Sequence, residues 1–161
     1  MITVSEAVKK MIDRCAGDQY DINHFLKVWA YAKTIGEEEG LDTETQLTLE
    51  LSAIVHDIAC PELRKKHGSA PGNLQEIYGP PMARTFYEDS GLDPDTIDRI
   101  CFLVAHHHTF DGIDGMDWQI LLEADFLVNA GELAKYHEVI GEYRKNVFKT
   151  ATGLSLLNAI Y

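Results

Sequence analysis

Apolar residues recur every three or four positions along most of this chain, and this spacing is the feature that most limits its possible fold. One broad face in the stretch 22–39, for example, carries Phe25, Leu26, Trp29, Ala32 and Ile35. Such a period is typical of amphipathic α-helices, whereas strands alternate apolar and polar residues at every second position. No segment shows a convincing alternation of that kind. The sequence therefore predicts an all-α protein, and its 161 residues fit a single domain over 1–161.

Proline and glycine mark the places where these helices are expected to begin and end. Asp93-Pro94 predicts a helix start, since aspartate caps a first turn and proline fits within it. The basic stretch from Arg64 to Asn73 contains glycine, serine and proline, and we expect it to be a surface loop. Pro80-Pro81 then suits the first turn of a helix that runs to about Asp89.

The charge of the chain limits its partners. It has 14 lysines and arginines against 26 aspartates and glutamates, so its formal net charge at pH 7 is −12. An acidic surface of this size repels polyanions, and we therefore expect no nucleic acid polymer as a partner. Small anions can still bind where a metal ion or a local basic cluster offsets the field.

The cysteines, the N-terminus and the lengths of the apolar runs together favour a cytoplasmic protein. The three cysteines, Cys15, Cys60 and Cys101, are far apart and odd in number, which is typical of reduced thiols rather than of a disulfide framework. The N-terminus lacks the cationic start and long apolar stretch of a signal peptide, and no apolar run is long enough to span a bilayer. We expect no association with a membrane, and the sequence leaves the oligomeric state open.

The dipeptide His56-Asp57 is the first chemical signal. It follows an apolar stretch that ends in Ala53, Ile54 and Val55. Burying an imidazole beside a carboxylate is costly unless the two are paired or bind a cation. By itself the dipeptide also fits a helix end at which histidine interacts favourably with the helix dipole. Together, nitrogen and oxygen donors suit a divalent ion of iron, manganese, nickel, cobalt or zinc.

Two more polar residues lie in apolar helical surroundings, His24 and Asp125. Glu123 is two positions before Asp125 and points to a different side of the helix, so only one of these acids can join a shared site. Asn129 is four positions after Asp125 and shares its face. Lys27 is three positions after His24 and is expected to share the face of that histidine.

This ordered set resembles the HD-domain superfamily of metal-dependent phosphohydrolases, whose pattern is an early histidine, a His-Asp pair and a later aspartate. The resemblance covers roughly residues 21–130. Four stretches also look like a group of small stand-alone HD proteins described as predicted hydrolases, namely His56-Asp57-Ile58, Gly79-Pro80-Pro81-Met82-Ala83-Arg84, His106-His107-His108-Thr109 and Glu123-Ala124-Asp125-Phe126-Leu127-Val128-Asn129. The resemblance implies an HD-type helical bundle that brings one metal ion to His24, His56, Asp57 and Asp125.

The triple histidine needs a separate interpretation. Successive helical residues point about 100° apart, so His106, His107 and His108 cannot all face one site. The stretch resembles the His-His-Glu segment of HD-GYP phosphodiesterases, which implies His106 and His107 as ligands of a second metal or as catalytic groups, with His108 in place of the glutamate. Some relatives place a further histidine where this chain has Tyr78, and this departure weakens the case for a complete two-metal site.

Binding of a phosphate group requires a local positive charge in so acidic a chain. Lys27 is one candidate because its spacing from His24 directs it to the same cavity. Arg64 is the other candidate, as part of the only dense basic cluster, Arg64-Lys65-Lys66-His67. A solvated surface location is the alternative for both.

The function that these features favour is metal-dependent hydrolysis of a small phosphate ester or nucleotide, with a small phosphorylated substrate as the expected partner. Two alternatives remain open. A few proteins with the HD fold use two irons to activate oxygen, which would require a complete second site. A non-catalytic module that binds a nucleotide or a metal is the other.

Overall fold

Nine α-helices and one 3₁₀ segment make up the structure, a computed structural model that describes residues 1–161. The helices are α1 (Val4–Arg14), α2 (Gln19–Glu38), α3 (Thr43–Val55), α4 (Cys60–His67), α5 (Gly72–Tyr87), α6 (Pro94–His106), α7 (Met116–Glu132), α8 (Ile140–Asn146) and α9 (Ala151–Ile160). The 3₁₀ segment Ala134–Val139 joins α7 to α8. There are no strands, so the predicted all-α fold is confirmed. None of these helices combines the length and apolar character needed to cross a membrane.

Two helices, α3 and α7, are buried around nearly their whole circumference. Every residue from Thr48 to Val55 of α3 is buried, as is every residue from Asp117 to Val128 of α7. Helices that are covered on all sides belong to the interior of a helical protein. Because α3 packs against α1, α2, α6 and α7, its C-terminal end lies inside the molecule. The residues that follow α3 are therefore placed among the other helices.

Two apolar clusters hold α3 between them. The first is built largely on α7 and includes Leu49 and Ala53 of α3. The second joins α1, α5 and α6 and includes Leu51 and Ile54 of α3. Opposite faces of α3 thus pack into different clusters, and this fixes the rotation of α3 about its axis.

The region after α3 differs from the sequence-based expectation. Arg64 belongs to the last turn of α4 rather than to a loop, and Gly68 ends that helix in the left-handed conformation, at φ 76°. The next helix, α5, begins at Gly72, so Pro80 and Pro81 lie inside it rather than in its first turn.

Packing of α5 against α6 explains why the prolines are tolerated there. A Cβ atom on Gly79 would lie 2.6 Å from Val104 Cγ1, so the glycine allows the two helices to approach closely. This tertiary contact outweighs the local preference of proline for a helix start. The predicted start of α6 is confirmed, with Asp93 as the N-cap.

A buried carboxylate anchors the C-terminal helix to α7. The fully buried Glu123 accepts hydrogen bonds from Gln119 Nε2 at 2.8 Å and from the backbone N–H groups of Lys149 at 2.7 Å and Thr150 at 3.0 Å. Thr150 in turn caps the first turn of α9 by accepting from the N–H of Gly153. Glu123 therefore has a structural role and faces away from Asp125.

We expect Glu123→Ala to lower the free energy of unfolding by about 3 kcal/mol, because it leaves several buried donors without an acceptor. Urea denaturation followed by circular dichroism measures the change. Glu142→Ala, at an exposed position of α8, is the matched control and should change stability by less than about 0.5 kcal/mol. Equal effects of the two substitutions would contradict the anchoring role.

Candidate metal centre

Four polar side chains meet where α2, α3 and α7 pack together. His24 lies on α2, His56 caps the end of α3, Asp57 follows it directly, and Asp125 lies on α7. Because α2 packs against both α3 and α7, the faces that carry these residues converge. The structure thus brings together the four residues that the sequence analysis assigned to one metal.

Their donor atoms are in close contact. His24 Nε2 is 3.2 Å from His56 Nε2. Asp57 Oδ2 lies 3.3 Å from His24 Nε2 and 3.6 Å from His56 Nε2. Asp125 Oδ1 lies 3.3 Å and 3.4 Å from the same two nitrogens. Asp57 is partly exposed, whereas the other three residues are buried.

The opposite ring nitrogens fix how the two imidazoles are oriented. His24 Nδ1 is 2.8 Å from Glu132 Oε2, and His56 Nδ1 is 2.8 Å from the carbonyl oxygen of Ala53. Because both partners are acceptors, each Nδ1 carries a proton, and a neutral ring then directs its Nε2 lone pair at the centre of the cluster. Two lone pairs and two carboxylates at these distances repel one another unless a positive charge lies among them.

The spacing of the four donors fits a divalent metal ion. With metal–ligand bonds of about 2.0–2.2 Å, neighbouring ligands of a tetrahedral or octahedral ion lie about 2.8–3.6 Å apart. The separation of the two nitrogens and their separations from the carboxylate oxygens, 3.2–3.6 Å, fall within that interval. The donor atoms of His24, His56 and Asp57 are all close enough together to share one ion, and Asp125 contacts both imidazoles. In addition, Asp125 Oδ1 is buried and accepts no hydrogen bond, which is otherwise costly for a carboxylate oxygen. The donor set and this unpartnered oxygen therefore suit a cation.

The pKa values reflect the same concentration of charge. Burial lowers the pKa of His24, but Asp125, Glu132 and Asp57 raise it to about 11. The pKa of His56 is also raised, because Asp57 and Asp125 outweigh its burial. Burial raises the pKa of Asp57, but the neighbouring imidazoles lower it well below its usual value. In the metal-free protein, a proton on His24 therefore supplies positive charge beside the two carboxylates.

Asp57 also faces a second group of donors. Its Oδ1 is 3.3 Å from His107 Nε2, whose ring donates through Nδ1 to the carbonyl of Val104 at 2.7 Å. The amide oxygen of Gln75 is 3.1 Å from His107 Nε2 and 2.8 Å from His108 Nε2. Donor atoms of Asp57, His107 and His108 are close enough together to share one ion. The carboxylate of Asp57 therefore connects two adjoining groups of possible ligands.

The structure corrects the assignment of the triple histidine. His106 donates through Nδ1 to the carbonyl of Phe102 at 2.7 Å, and its ring packs against Phe102 and Trp118, away from Asp57. His107 and His108 face the site instead. The reason is that successive residues at the end of α6 point about 100° apart, so His106 and His107 face different sides of the helix.

His108 is positioned by the start of α5. A Cβ atom on Gly72 would lie 2.8 Å from His108 Cγ, so glycine is needed for this approach. Burial, together with the neighbouring His107, lowers the pKa of His108 to about 4. The ring is therefore neutral at pH 7 and donates a hydrogen bond from Nε2 to Gln75. Tyr78, at the position where some relatives carry histidine, is an exposed residue of α5.

A cavity of about 350 Å³ borders both groups of donors. His24, Asp57, Asp125 and His108 contribute to its wall, and its other lining residues include Arg64 and Lys135. A larger and more open depression of about 480 Å³ lies elsewhere, along α1 and α5, and contains none of the clustered side chains. The smaller cavity is therefore the one that borders the possible metal ligands.

The two cations expected to bind phosphate are both paired with carboxylates. Lys27 does not line the cavity, because its Nζ lies 2.9 Å from Glu132 Oε1, on the far side of His24. The expectation that Lys27 shares a cavity with His24 is thus wrong, since a carboxylate from α7 holds the ammonium outside. Arg64 does line the cavity and forms an ion pair with Asp21.

Three residues near the site were missed by the sequence analysis, namely Glu132, Gln75 and Lys135. Glu132 is seven positions after Asp125, which places both on one face of α7, so helical spacing could have identified it. Gln75 has no such signal, because it lies in a segment that was expected to be near a loop. Lys135 follows α7 in the 3₁₀ segment, whose path the sequence pattern does not indicate.

Comparisons with known proteins agree with this architecture. None of the curated proteins matches the chain. Among solved structures, it is similar to a predicted HD superfamily hydrolase from an uncultured Thermotogales bacterium, with a TM-score of 0.67, 19% identity, and coverage of 98% of this chain and 83% of the other. At that identity the likeness shows the fold alone. The family model described as HD domain matches residues 21–145. With most of its length matched, the chain belongs to the HD-domain family.

Proposed function

We propose that this protein is a metal-dependent phosphohydrolase that acts on a small phosphate ester or nucleotide. The observation that carries the proposal is the unpartnered, buried Asp125 Oδ1 among two imidazole nitrogens and a second carboxylate, at the wall of a cavity. Membership of the HD-domain family supports a metal-dependent hydrolase. That the bond hydrolysed is a phosphate ester goes beyond what family membership supports.

In this proposal His24, His56, Asp57 and Asp125 hold a divalent transition ion such as iron, manganese, nickel, cobalt or zinc. When bound, such an ion supplies a Lewis acid for a phosphoryl oxygen and lowers the pKa of its bound water. The role of the protein is to keep the donors fixed. Glu132 holds the ring of His24 and the carbonyl of Ala53 holds the ring of His56, so neither imidazole can turn away.

The remaining polar groups of the cavity serve to position the substrate. His108 is neutral at neutral pH and can exchange hydrogen bonds without adding charge. The amide of Asn129, one turn after Asp125, lines the same cavity and can donate or accept. A volume of about 350 Å³ lies at the lower end of small-molecule sites, which are about 300–1,000 Å³. The cavity therefore suits a small substrate.

A second candidate function is oxidative chemistry with two metal ions. The group of Asp57, His107 and His108 beside the first cluster favours it, because these donors are close enough to share a second ion. Gln75 offers an amide oxygen in place of a further histidine, which makes this second group poorer in strong ligands.

Turnover assays distinguish these functions. Metal-free protein would be loaded separately with Mn²⁺, Fe²⁺, Co²⁺, Ni²⁺ or Zn²⁺ and supplied with phosphomonoesters, nucleotides and phosphodiesters. Release of phosphate or of a phosphomonoester supports hydrolysis, and consumption of oxygen supports the oxidative alternative. Binding without turnover under any of these conditions would indicate a non-catalytic module and would contradict the proposal.

Metal binding should displace protons from the cluster. Because the pKa of His24 is raised to about 11, its ring is protonated at pH 7 in the metal-free protein, and a divalent ion releases about one proton when it binds. Titration calorimetry with Mn²⁺ in buffers of different ionisation enthalpy measures this number. His24→Gln, which lacks this ring, should release about one proton fewer. Binding that releases no protons would contradict the assignment.

Asp57→Ala should abolish hydrolysis and weaken metal binding, because it removes a carboxylate that faces both groups of donors. His137→Ala is the matched control, since His137 is an exposed residue of the 3₁₀ segment and lies outside the cavity. Phosphate release and elemental analysis provide the two measurements. If both variants behave alike, the ligand assignment is wrong.

Glu132→Ala should lower the affinity for metal about 10- to 100-fold, because His24 Nδ1 loses its acceptor. Glu132→Gln should retain most of the affinity, since an amide oxygen can accept the same hydrogen bond. Lys27→Ala should change metal affinity and kcat/KM by less than about threefold, because its exposed pair with Glu132 lies outside the cavity. If Lys27→Ala greatly lowered kcat/KM while leaving metal affinity unchanged, Lys27 would have to contact the substrate after all.

A further inference from the structure

The charged side chains around the cavity balance one another with a single exception. Three acids and two bases line it, namely Asp21, Asp57, Asp125, Arg64 and Lys135. Arg64 is paired with Asp21, and the two remaining carboxylates belong to the proposed metal cluster, where a divalent ion matches their charge. Lys135 forms no ion pair with any carboxylate, in contrast to Arg64 and Lys27. With the metal in place, this lysine is therefore the one uncompensated charge of the cavity.

Lys135 is an exposed residue that lines the cavity. It lies in the 3₁₀ segment directly after α7, and its Nζ is 5.0 Å from the centre of the Tyr136 ring. That ring lines the cavity as well and packs edge-on against Phe126 of α7, with 5.9 Å between the ring centres. The backbone N–H of Tyr136 donates to the carbonyl of Leu133. The ammonium is thus attached to a segment that is packed against the helix of Asp125.

We propose that Lys135 binds the phosphate group of the substrate and that the substrate carries one phosphate group rather than a polyphosphate chain. This inference rests on the proposed phosphohydrolase function. A single phosphate monoester has a charge of about −1.5 to −2 at pH 7, which one free ammonium and a metal-bearing cluster can accommodate. A triphosphate would bring more negative charge into a chain of net charge −12 with no further free cation at the cavity.

Inorganic phosphate is the probe that tests this site directly. Calorimetric titration of phosphate into Mn²⁺-loaded protein should show Kd raised about tenfold in Lys135→Gln, because a charge-assisted contact is lost. Lys135→Arg should recover most of the affinity, since it keeps the charge. Lys145→Ala, an exposed lysine of α8 outside the cavity, should leave Kd unchanged.

Two further measurements separate a charge contact from a structural effect. Raising the ionic strength should weaken phosphate binding by the wild-type protein more than by Lys135→Gln, because only the former loses a screened charge pair. In turnover assays, kcat/KM should be higher for a nucleoside monophosphate than for the corresponding triphosphate. Unchanged phosphate affinity in Lys135→Gln, an equal salt dependence, or a preference for the triphosphate would overturn the inference.

Failure of this inference can be told from failure of the proposed function. If wild-type protein hydrolyses phosphate esters and Lys135→Gln binds phosphate as well as wild type does, hydrolysis stands and the role of Lys135 is wrong. If phosphate binding depends on Lys135 but no phosphate ester is turned over, the anion site stands and the hydrolase proposal is wrong.

Discussion

The rest of the structure depends on the meeting of His24 and His56, whose Nε2 atoms face each other at 3.2 Å beside two carboxylates. Each ring already donates through Nδ1 to an acceptor. The Nε2 atoms therefore require either an extra proton, as on His24 in the metal-free protein, or one divalent ion. The two nitrogens lie 3.2–3.6 Å from each other and from the carboxylate oxygens, which is the spacing of neighbouring metal ligands and the physical basis of the proposed function.

The helical packing keeps these groups together. Because α3 is buried on all sides and contributes to two apolar clusters, the position of His56 at its end is determined by many contacts remote from the site. Asp125 is held in the same way by α7. The wall of the cavity opposite these buried helices is more exposed. It is formed by the start of α5 and by the 3₁₀ segment that contains Lys135. In the proposed function, metal binding and substrate recognition thus depend on different parts of the fold.

Much of this arrangement could be predicted from the sequence, and the exceptions have identifiable causes. Apolar surroundings marked His24 and Asp125, because a polar residue on a buried helix face needs a partner. The positions of His106 and Lys27 were wrong for different reasons. At the end of α6, His107 and His108 face the site and His106 does not, because successive residues point in different directions. Lys27 pairs with Glu132, which another helix supplies. Local spacing gives the direction of a side chain but not the partner that another helix supplies.

Anomalous diffraction from crystals of the Mn²⁺-loaded protein would test the central claim most directly. The account predicts a strong peak surrounded by His24 Nε2, His56 Nε2 and carboxylate oxygens of Asp57 and Asp125, at about 2.0–2.2 Å from each. A second, weaker peak beside His107 would be compatible with the adjoining donors. A map with no peak among the four side chains, from protein shown by elemental analysis to contain the metal, would contradict the account.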